Sequence, residues 1–212
     1  MFKKVIAVIP FFLLIINMVY SRFAYLFSES INSTHLFDIA LNILPLSLFV
    51  MIDVCMRKKI SIFKLIVLAS FYVYIACVYY LTLFPLTLEN FLTNSSLSRN
   101  VNLVPFNIFT DYHIFDEQII GNFIMLFPFG IYLHVLYKRF TTNFKSLCLI
   151  FLTSILIEGI QLIFSAGTPD IDDIILNTLG GSLGYWCFSL GKLIAGKKIR
   201  SKSELFNIYS KS

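Results

Sequence analysis

The stretch SLCLIFLTSILIEGIQLIF, residues 146–164, decides the fold, because it is almost wholly apolar and yet contains one acid, Glu158. A helix that crosses the hydrocarbon core of a membrane needs about 20 mostly apolar residues, and this run meets that length. Such runs are too long and too continuously apolar for the short alternating strands of a β-barrel. We therefore predict an all-α integral membrane protein, a bundle of six transmembrane helices, from this run and five others: Val5 to Tyr20, Leu36 to Met56, Ile62 to Phe84, Ile119 to Tyr137 and Ile174 to Ala195.

The composition of the chain supports the same class. Its 212 residues are 58% hydrophobic, 17% aromatic and 14% charged, with a mean hydropathy of +0.80. A soluble domain has about 45–50% apolar and about 25% charged residues. The composition therefore excludes a soluble enzyme, a secreted disulfide scaffold and a disordered tail.

The basic residues orient the predicted bundle. If the N-terminus is cytoplasmic, all of the 17 Lys and Arg except Arg22 and Arg99 fall on the inner side. Because cationic segments resist translocation, this asymmetry predicts cytoplasmic N- and C-termini. It also accounts for the net charge of +5, so a nucleic-acid partner loses its support. The acids lie at the outer side: Glu29, Asp38, Glu89, Asp111, Asp116, Glu117, Asp170, Asp172 and Asp173.

The chain shows no internal repeat and no linker. We predict an N-terminal pair of transmembrane helices in residues 1–60, the remaining spans in 61–195 and a basic cytoplasmic tail in 196–212. The first span lacks a small-residue cleavage site and is expected to be an uncleaved signal anchor. The apolar stretch Pro105 to Phe109 in the longest outer segment either lies at the level of the lipid headgroups or covers the mouth of the bundle.

Known catalytic signatures are absent from the sequence. No glycine-rich phosphate loop and no Gly-x-Ser-x-Gly motif occurs, and the three His do not cluster. The four Cys are scattered without a Cys-x-x-Cys pair, which argues against disulfide and zinc sites. We therefore favour a protein that is not an enzyme, although the sequence does not decide the point.

Glu158 is the one ionisable residue well inside a span, and such a residue is a functional candidate. Gln161 follows it at i+3 on the same helical face. On one face of the helix that forms the sixth predicted span, polar residues come first along the chain and glycines follow. We expect that helix to dock on the fifth span through its glycines, and Asn122 to complete a polar pocket. The pocket candidates are Asn122, Glu158, Gln161, Asp170, Asp173 and Asn177, and the packing glycines are Gly180, Gly181 and Gly184.

A structural interpretation competes with this one. Thr168-Pro169-Asp170 has the pattern of a helix N-cap, a proline at the first position and an acid in the first turn. We interpret Asp172 as such a capping acid. Asn122, Glu158 and Gln161 could instead be hydrogen-bonding contacts between helices. Asp53, four residues before Arg57, is predicted to form a local ion pair.

Several of these residues stand in motifs that resemble the VanZ-like family of bacterial membrane proteins. The resemblance covers about residues 72–190, and one arginine that many members have before the acid-rich motif is replaced here by Gly167-Thr168-Pro169. The matching pieces are Asn102-Leu103-Val104-Pro105-Phe106, Gly121-Asn122-Phe123, Phe127-Pro128-Phe129-Gly130, Glu158-Gly159-Ile160-Gln161, Asp170-Ile171-Asp172-Asp173, Asn177-Thr178-Leu179-Gly180-Gly181 and Gly184-Tyr185.

The resemblance implies a bacterial plasma-membrane protein that lowers susceptibility to teicoplanin-type lipoglycopeptides. Its partners would be the bilayer and an acylated glycopeptide or a lipid-linked cell-wall precursor. One alternative is an intramembrane enzyme that uses Glu158 and Asp173 as an acid–base pair on a lipid or such a precursor. A small transporter ranks third, since no inverted repeat supports it. We expect no cofactor, and the alternative of Mg²⁺ or Ca²⁺ at Asp170 and Asp173 has no further support.

Overall fold

The computed structural model describes residues 2–24, 33–57, 61–93, 101–107, 116–137 and 142–209, and its regular elements there are all helices. Side chains beyond residue 196, and therefore most of the predicted basic tail, lie outside the described residues, as do residues 108 and 109 of the predicted apolar stretch. The helices are α1 Phe2–Phe23, α2 Ser33–Met56, α3 Ile62–Thr82, α4 Leu88–Thr93, α5 Glu117–Met125, α6 Phe127–Leu136, α7 Asn143–Phe164 and α8 Ile171–Tyr209.

Five segments are long and apolar enough to cross a membrane. They are Lys4–Phe23, Thr34–Met56, Ile62–Thr82, Glu117–Leu136 and Phe144–Phe164, and they coincide with the first five predicted spans to within a few residues. The sixth predicted span lies in α8, which is not among the five. Two acids, Asp172 and Asp173, precede the predicted span, and four glycines and an asparagine within residues 174–195 lower its hydropathy. The sixth span therefore stays a prediction.

The chain forms two compact units, Met1–Asn107 with Thr153–Asp172, and Ile108–Leu152 with Asp173–Ser212. In the first unit, α1 packs on α2 and α3. The buried side chains of α1 recur at helical spacing, at Ala7, Phe11, Ile15 and Met18. They form one apolar face, as expected for a helix that is covered on one side only.

Asp53, near the end of α2, makes two polar contacts in the first unit. The predicted pair of Asp53 and Arg57 is confirmed, with 2.9 Å between the guanidinium and the carboxylate. The hydroxyl of Tyr72 also donates to Asp53, at 2.7 Å. These contacts satisfy a carboxylate that stands near the end of α2.

Asn42 joins α2, α3 and the turn that follows α3. Its amide nitrogen donates to the carbonyl oxygens of Asp38 and Leu86, each at 2.7 Å. Its oxygen accepts from the Tyr79 hydroxyl at 2.6 Å and from the Leu86 N–H at 2.9 Å. Asn42 is 2% exposed, so its side chain is a fully bonded polar group in an apolar environment.

In the second unit, the fourth predicted span is broken into two helices. The sequence predicted one continuous helix with Pro128 inside it, whereas α5 ends at Met125 and α6 begins at Phe127. Proline lacks an N–H and favours the first turn of a helix, which accounts for a new start at this point. Pro45, by contrast, lies inside the continuous helix α2 as predicted.

The glycines of α8 pack against this broken span. A Cβ on Gly180 would lie 1.7 Å from the carbonyl oxygen of Phe123, and one on Gly184 would lie 2.0 Å from that of Phe127. The sequence predicts that this face docks on the fifth span, and Gly181 does lie against Ile150 of α7, whereas Gly180 and Gly184 lie against the fourth span. The break at Leu126 explains the difference, because it brings backbone carbonyls close to a helix without side chains on that face.

Candidate functional site

Four polar residues of the first unit meet where α8 begins. They are Asn102, Glu158, Asp170 and Asp172, and we refer to them as the clamp. Two of them, Glu158 and Asp170, were predicted as pocket residues. The clamp joins the C-terminal part of α7, the start of α8 and residues 101–107, a segment that we call the strap.

Asp170 is the N-cap of α8. Its Oδ1 accepts from the Asp172 N–H at 2.8 Å, the bond that a capping side chain makes two residues into a helix. The sequence placed this cap at Thr168, with Asp170 in the first turn. That assignment is wrong by two residues, since α8 begins at Ile171.

Asn102 pairs with Asp170 through both backbone and side chain. The Asn102 N–H donates to the Pro169 carbonyl at 3.1 Å, and the Ile171 N–H donates to the Asn102 carbonyl at 3.0 Å. These two bonds form an isolated parallel bridge between Asn102 and Asp170. The Asn102 amide also donates to Asp170 Oδ2 at 2.9 Å, so both carboxylate oxygens of Asp170 are bonded.

Asp172 binds the other end of the strap. Its Oδ1 accepts from the Phe106 N–H at 2.6 Å, and its side chain is only 2% exposed. The prediction of a merely capping acid is therefore wrong, because the carboxylate bonds a residue 66 positions away in the chain. Phe106 has a φ of 68°, a conformation that costs energy for a residue with a side chain. The bond from Asp172 helps to hold it.

The side chain of Glu158 contacts the start of α8, and Glu158 is 6% exposed. Its Oε2 accepts from the Asp170 N–H at 3.2 Å, one of the backbone groups that a helix start leaves without an intrahelical partner. Gln161, on the same helix, donates instead to the carbonyl of Thr82 at 3.0 Å. Glu158 and Gln161, which were predicted to share one helical face, thus bind the start of α8 and the end of α3 respectively.

The remaining pocket candidates belong to the second unit. The Asn122 amide donates to Asp173, as the predicted proximity of α8 and the fourth span requires. Asn177, one turn further along α8, is fully buried, and no partner is found for either its amide nitrogen or its oxygen within the described part of the chain. Buried polar groups are nearly always bonded, so this side chain has capacity for a ligand or a water molecule.

The clamp offers carboxylate and amide groups, which bind ammonium, hydroxyl and amide groups of a ligand. Its four residues include no Ser, Thr, Cys, His or Lys. Within the described residues, no group of three or more His, Cys, Asp or Glu could hold a metal ion. Its chemistry is that of hydrogen bonding and charge.

The sequence did not predict Asn102, Asp172 or Asn42 as site or framework residues. Asn102 and Asp172 lie inside the motifs that resemble the VanZ-like family, and that position was the one indication of their role. Asn42 carried none, because an isolated Asn in an apolar run has no partner that spacing can identify.

The fold and the site define an integral membrane protein of apolar helices with a polar clamp at the end of its spans. Residues 71–193 match the family model described as VanZ/LLP1. Over 119 residues the chain is 34% identical to "Protein VanZ" of Enterococcus faecium. The aligned region covers 55% of this chain and 70% of that protein. No solved structure gives a significant match. The chain belongs to the VanZ/LLP1 family, which confirms the resemblance seen in the motifs.

Proposed function

We propose that this protein lowers the susceptibility of a bacterial cell to teicoplanin-type lipoglycopeptides, and that the clamp is part of the site through which it acts. The first part rests on family membership. The second rests on the chemistry of Glu158. The ligand that we propose is an acylated glycopeptide or the lipid-linked cell-wall precursor that it targets.

The observation that carries the proposal is a buried acid in an apolar span. An ionisable side chain within a membrane span is costly, and such a residue is a functional candidate. Glu158 is 6% exposed there, and the bond that it accepts from the Asp170 N–H is one that a neutral Gln could also accept. A carboxylate at this position therefore supports a use beyond helix packing, such as binding a cationic or hydrogen-bond-donating group.

We further propose six spans, with both termini in the cytoplasm of a bacterial cell. The 39 residues of α8 exceed the length of a span, and the basic residues after Lys192 favour an inner C-terminus. An odd number of spans would place that basic tail outside. A green fluorescent protein fused to the C-terminus should fluoresce, whereas a dark fusion of normal abundance would contradict this topology.

The test of function is expression in a glycopeptide-sensitive Gram-positive host. We expect the inhibitory concentration of teicoplanin to rise more than that of vancomycin, because only teicoplanin has an acyl chain that enters the bilayer. No change in either value, with the protein present in the membrane, would contradict the proposal.

A comparison of lipid extracts from cells with the wild type and with Glu158→Gln distinguishes the proposed resistance function from the enzymatic alternative. Glu158 and Asp173, its suggested acid–base pair, are engaged by Asp170 and Asn122 respectively, each within its own unit. We expect identical lipid and precursor profiles in cells with the wild type and with Glu158→Gln. A product that depends on Glu158 would favour the enzyme instead.

A further inference from the structure

The strap combines a bonded backbone with exposed apolar side chains. Leu103, Val104 and Phe106 are 71%, 63% and 61% exposed, and Val101 is 37% exposed. Residues 101–107 include no charged side chain. Exposure of such a cluster to water would be unfavourable. The cluster therefore indicates a surface that contacts an apolar partner or a membrane.

The backbone of the strap is bonded inside the protein. The N–H groups of Asn102, Val104 and Phe106 donate to Pro169, to the Asn102 side chain and to Asp172 respectively. Bonding of these three N–H groups lowers the cost of placing a non-helical segment in an apolar environment. The bonds also fix the strap with its apolar side chains exposed.

The strap is also fixed at the level where apolar spans end. It is bonded to the start of α8 through Asp170 and Asp172. Glu158 binds the same start, and Gln161, one turn later on α7, binds the last residue of α3 at Thr82. Since the spans of α3 and α7 end at Thr82 and Phe164, this level corresponds to the boundary of the hydrocarbon core.

We propose that the strap inserts Leu103, Val104 and Phe106 into the outer leaflet at the level between headgroups and acyl chains. The occupant of this surface is lipid. The exposure of these side chains argues against the other expectation for the stretch, that of a buried cover over the bundle. This inference concerns contact with the membrane and does not depend on the proposed resistance function.

Tryptophan fluorescence can test this placement in the full-length protein. Trp186 is the only tryptophan, so Trp186→Phe provides a dark background into which Leu103→Trp or Val104→Trp is introduced. Both positions are exposed, so the larger side chain should be accommodated. The proteins are reconstituted into phosphatidylcholine–phosphatidylglycerol vesicles that carry a nitroxide at a shallow or at a deep acyl-chain carbon.

We expect blue-shifted emission from both positions, stronger quenching by the shallow nitroxide than by the deep one, and weak quenching by iodide. Native Trp186, in the predicted sixth span, serves as the control for a membrane-embedded indole. Water-like emission quenched by iodide and by neither nitroxide, at both positions, would overturn the proposal. Asp172→Ala should reduce the shallow quenching and Asp172→Asn should retain it, because only Asn still accepts the Phe106 N–H.

Discussion

The Glu158 carboxylate accepts the Asp170 N–H in a nearly dry environment, and the Asp170 carboxylate in turn bonds Asn102 and caps α8. At the scale of single residues, then, each acid of the clamp accepts a hydrogen bond from a backbone N–H group that no helical hydrogen bond uses. A buried group that loses its partner costs about 1–3 kcal/mol. The clamp should therefore respond differently to neutral substitutions that keep an acceptor and to those that remove it.

Glu158→Ala should lower the free energy of unfolding by about 1–3 kcal/mol, because it leaves the Asp170 N–H without its acceptor. Glu158→Gln should have a much smaller effect, since the amide oxygen accepts the same bond. Thermal unfolding of the purified protein in one detergent measures both. Equal destabilisation by Ala and Gln would show that the hydrogen bond is not what Glu158 contributes to stability.

Asn42 is a second single residue on which several elements depend. Asn42→Ala should destabilise the protein by about 3 kcal/mol, because partners on α2, on α3 and in the turn after α3 lose their bonds together. Tyr79→Phe removes only one of these bonds and should cost about 1 kcal/mol. Comparable unfolding temperatures for the two variants would contradict the role of Asn42 as a junction.

At the scale of elements, the packing of α8 on α5 and α6 depends on missing side chains. Gly180 and Gly184 face backbone carbonyls, which cannot rotate away as a side chain can. In a membrane, where water does not drive helices together, such close approach is a main source of packing energy. The close packing of α8 on α5 and α6 therefore depends on both the small residues of α8 and the break after α5.

Gly184→Ala should destabilise the protein by at least about 1–3 kcal/mol, since its Cβ would lie 2.0 Å from the Phe127 carbonyl oxygen. Gly121→Ala on α5 is the matched control, because nothing lies within 4 Å of its Cβ. Better helix propensity should make that variant neutral or more stable by about 0.5–1 kcal/mol. Unfolding in detergent that leaves both variants equal would contradict this packing.

At the scale of the whole molecule, the described part of the protein is a set of apolar helices, and most of the acids in that part stand near helix ends. The clamp and the strap occupy the first compact unit, and the glycine packing and the Asn122–Asp173 pair occupy the second. The family model covers parts of both units. The residues with polar contacts at the start of α8 therefore lie within the part of the chain that the family shares.

The sequence predicted the features that depend on local order. The length of each apolar run located five spans, and i,i+4 spacing located the pair of Asp53 and Arg57. It did not predict the bonds of Asn102 and Asp172, because their partners are more than 60 positions away in the chain. It identified the fifth span as a neighbour of Gly181 and missed the fourth span as the neighbour of Gly180 and Gly184, since periodicity identifies a face and not everything that packs on it.

The central claim is that two of the predicted pocket acids, Glu158 and Asp173, serve a ligand and not only the fold. The most direct measurement is the teicoplanin susceptibility of a sensitive host that expresses Glu158→Gln or Asp173→Asn, both of which keep their hydrogen-bond acceptors. Glu117→Gln, the same change at an exposed acid, is the control. We expect protection to be lost in the first two variants and retained in the third, at equal protein levels in the membrane. Full protection in all three would contradict the claim and assign these acids to the fold alone.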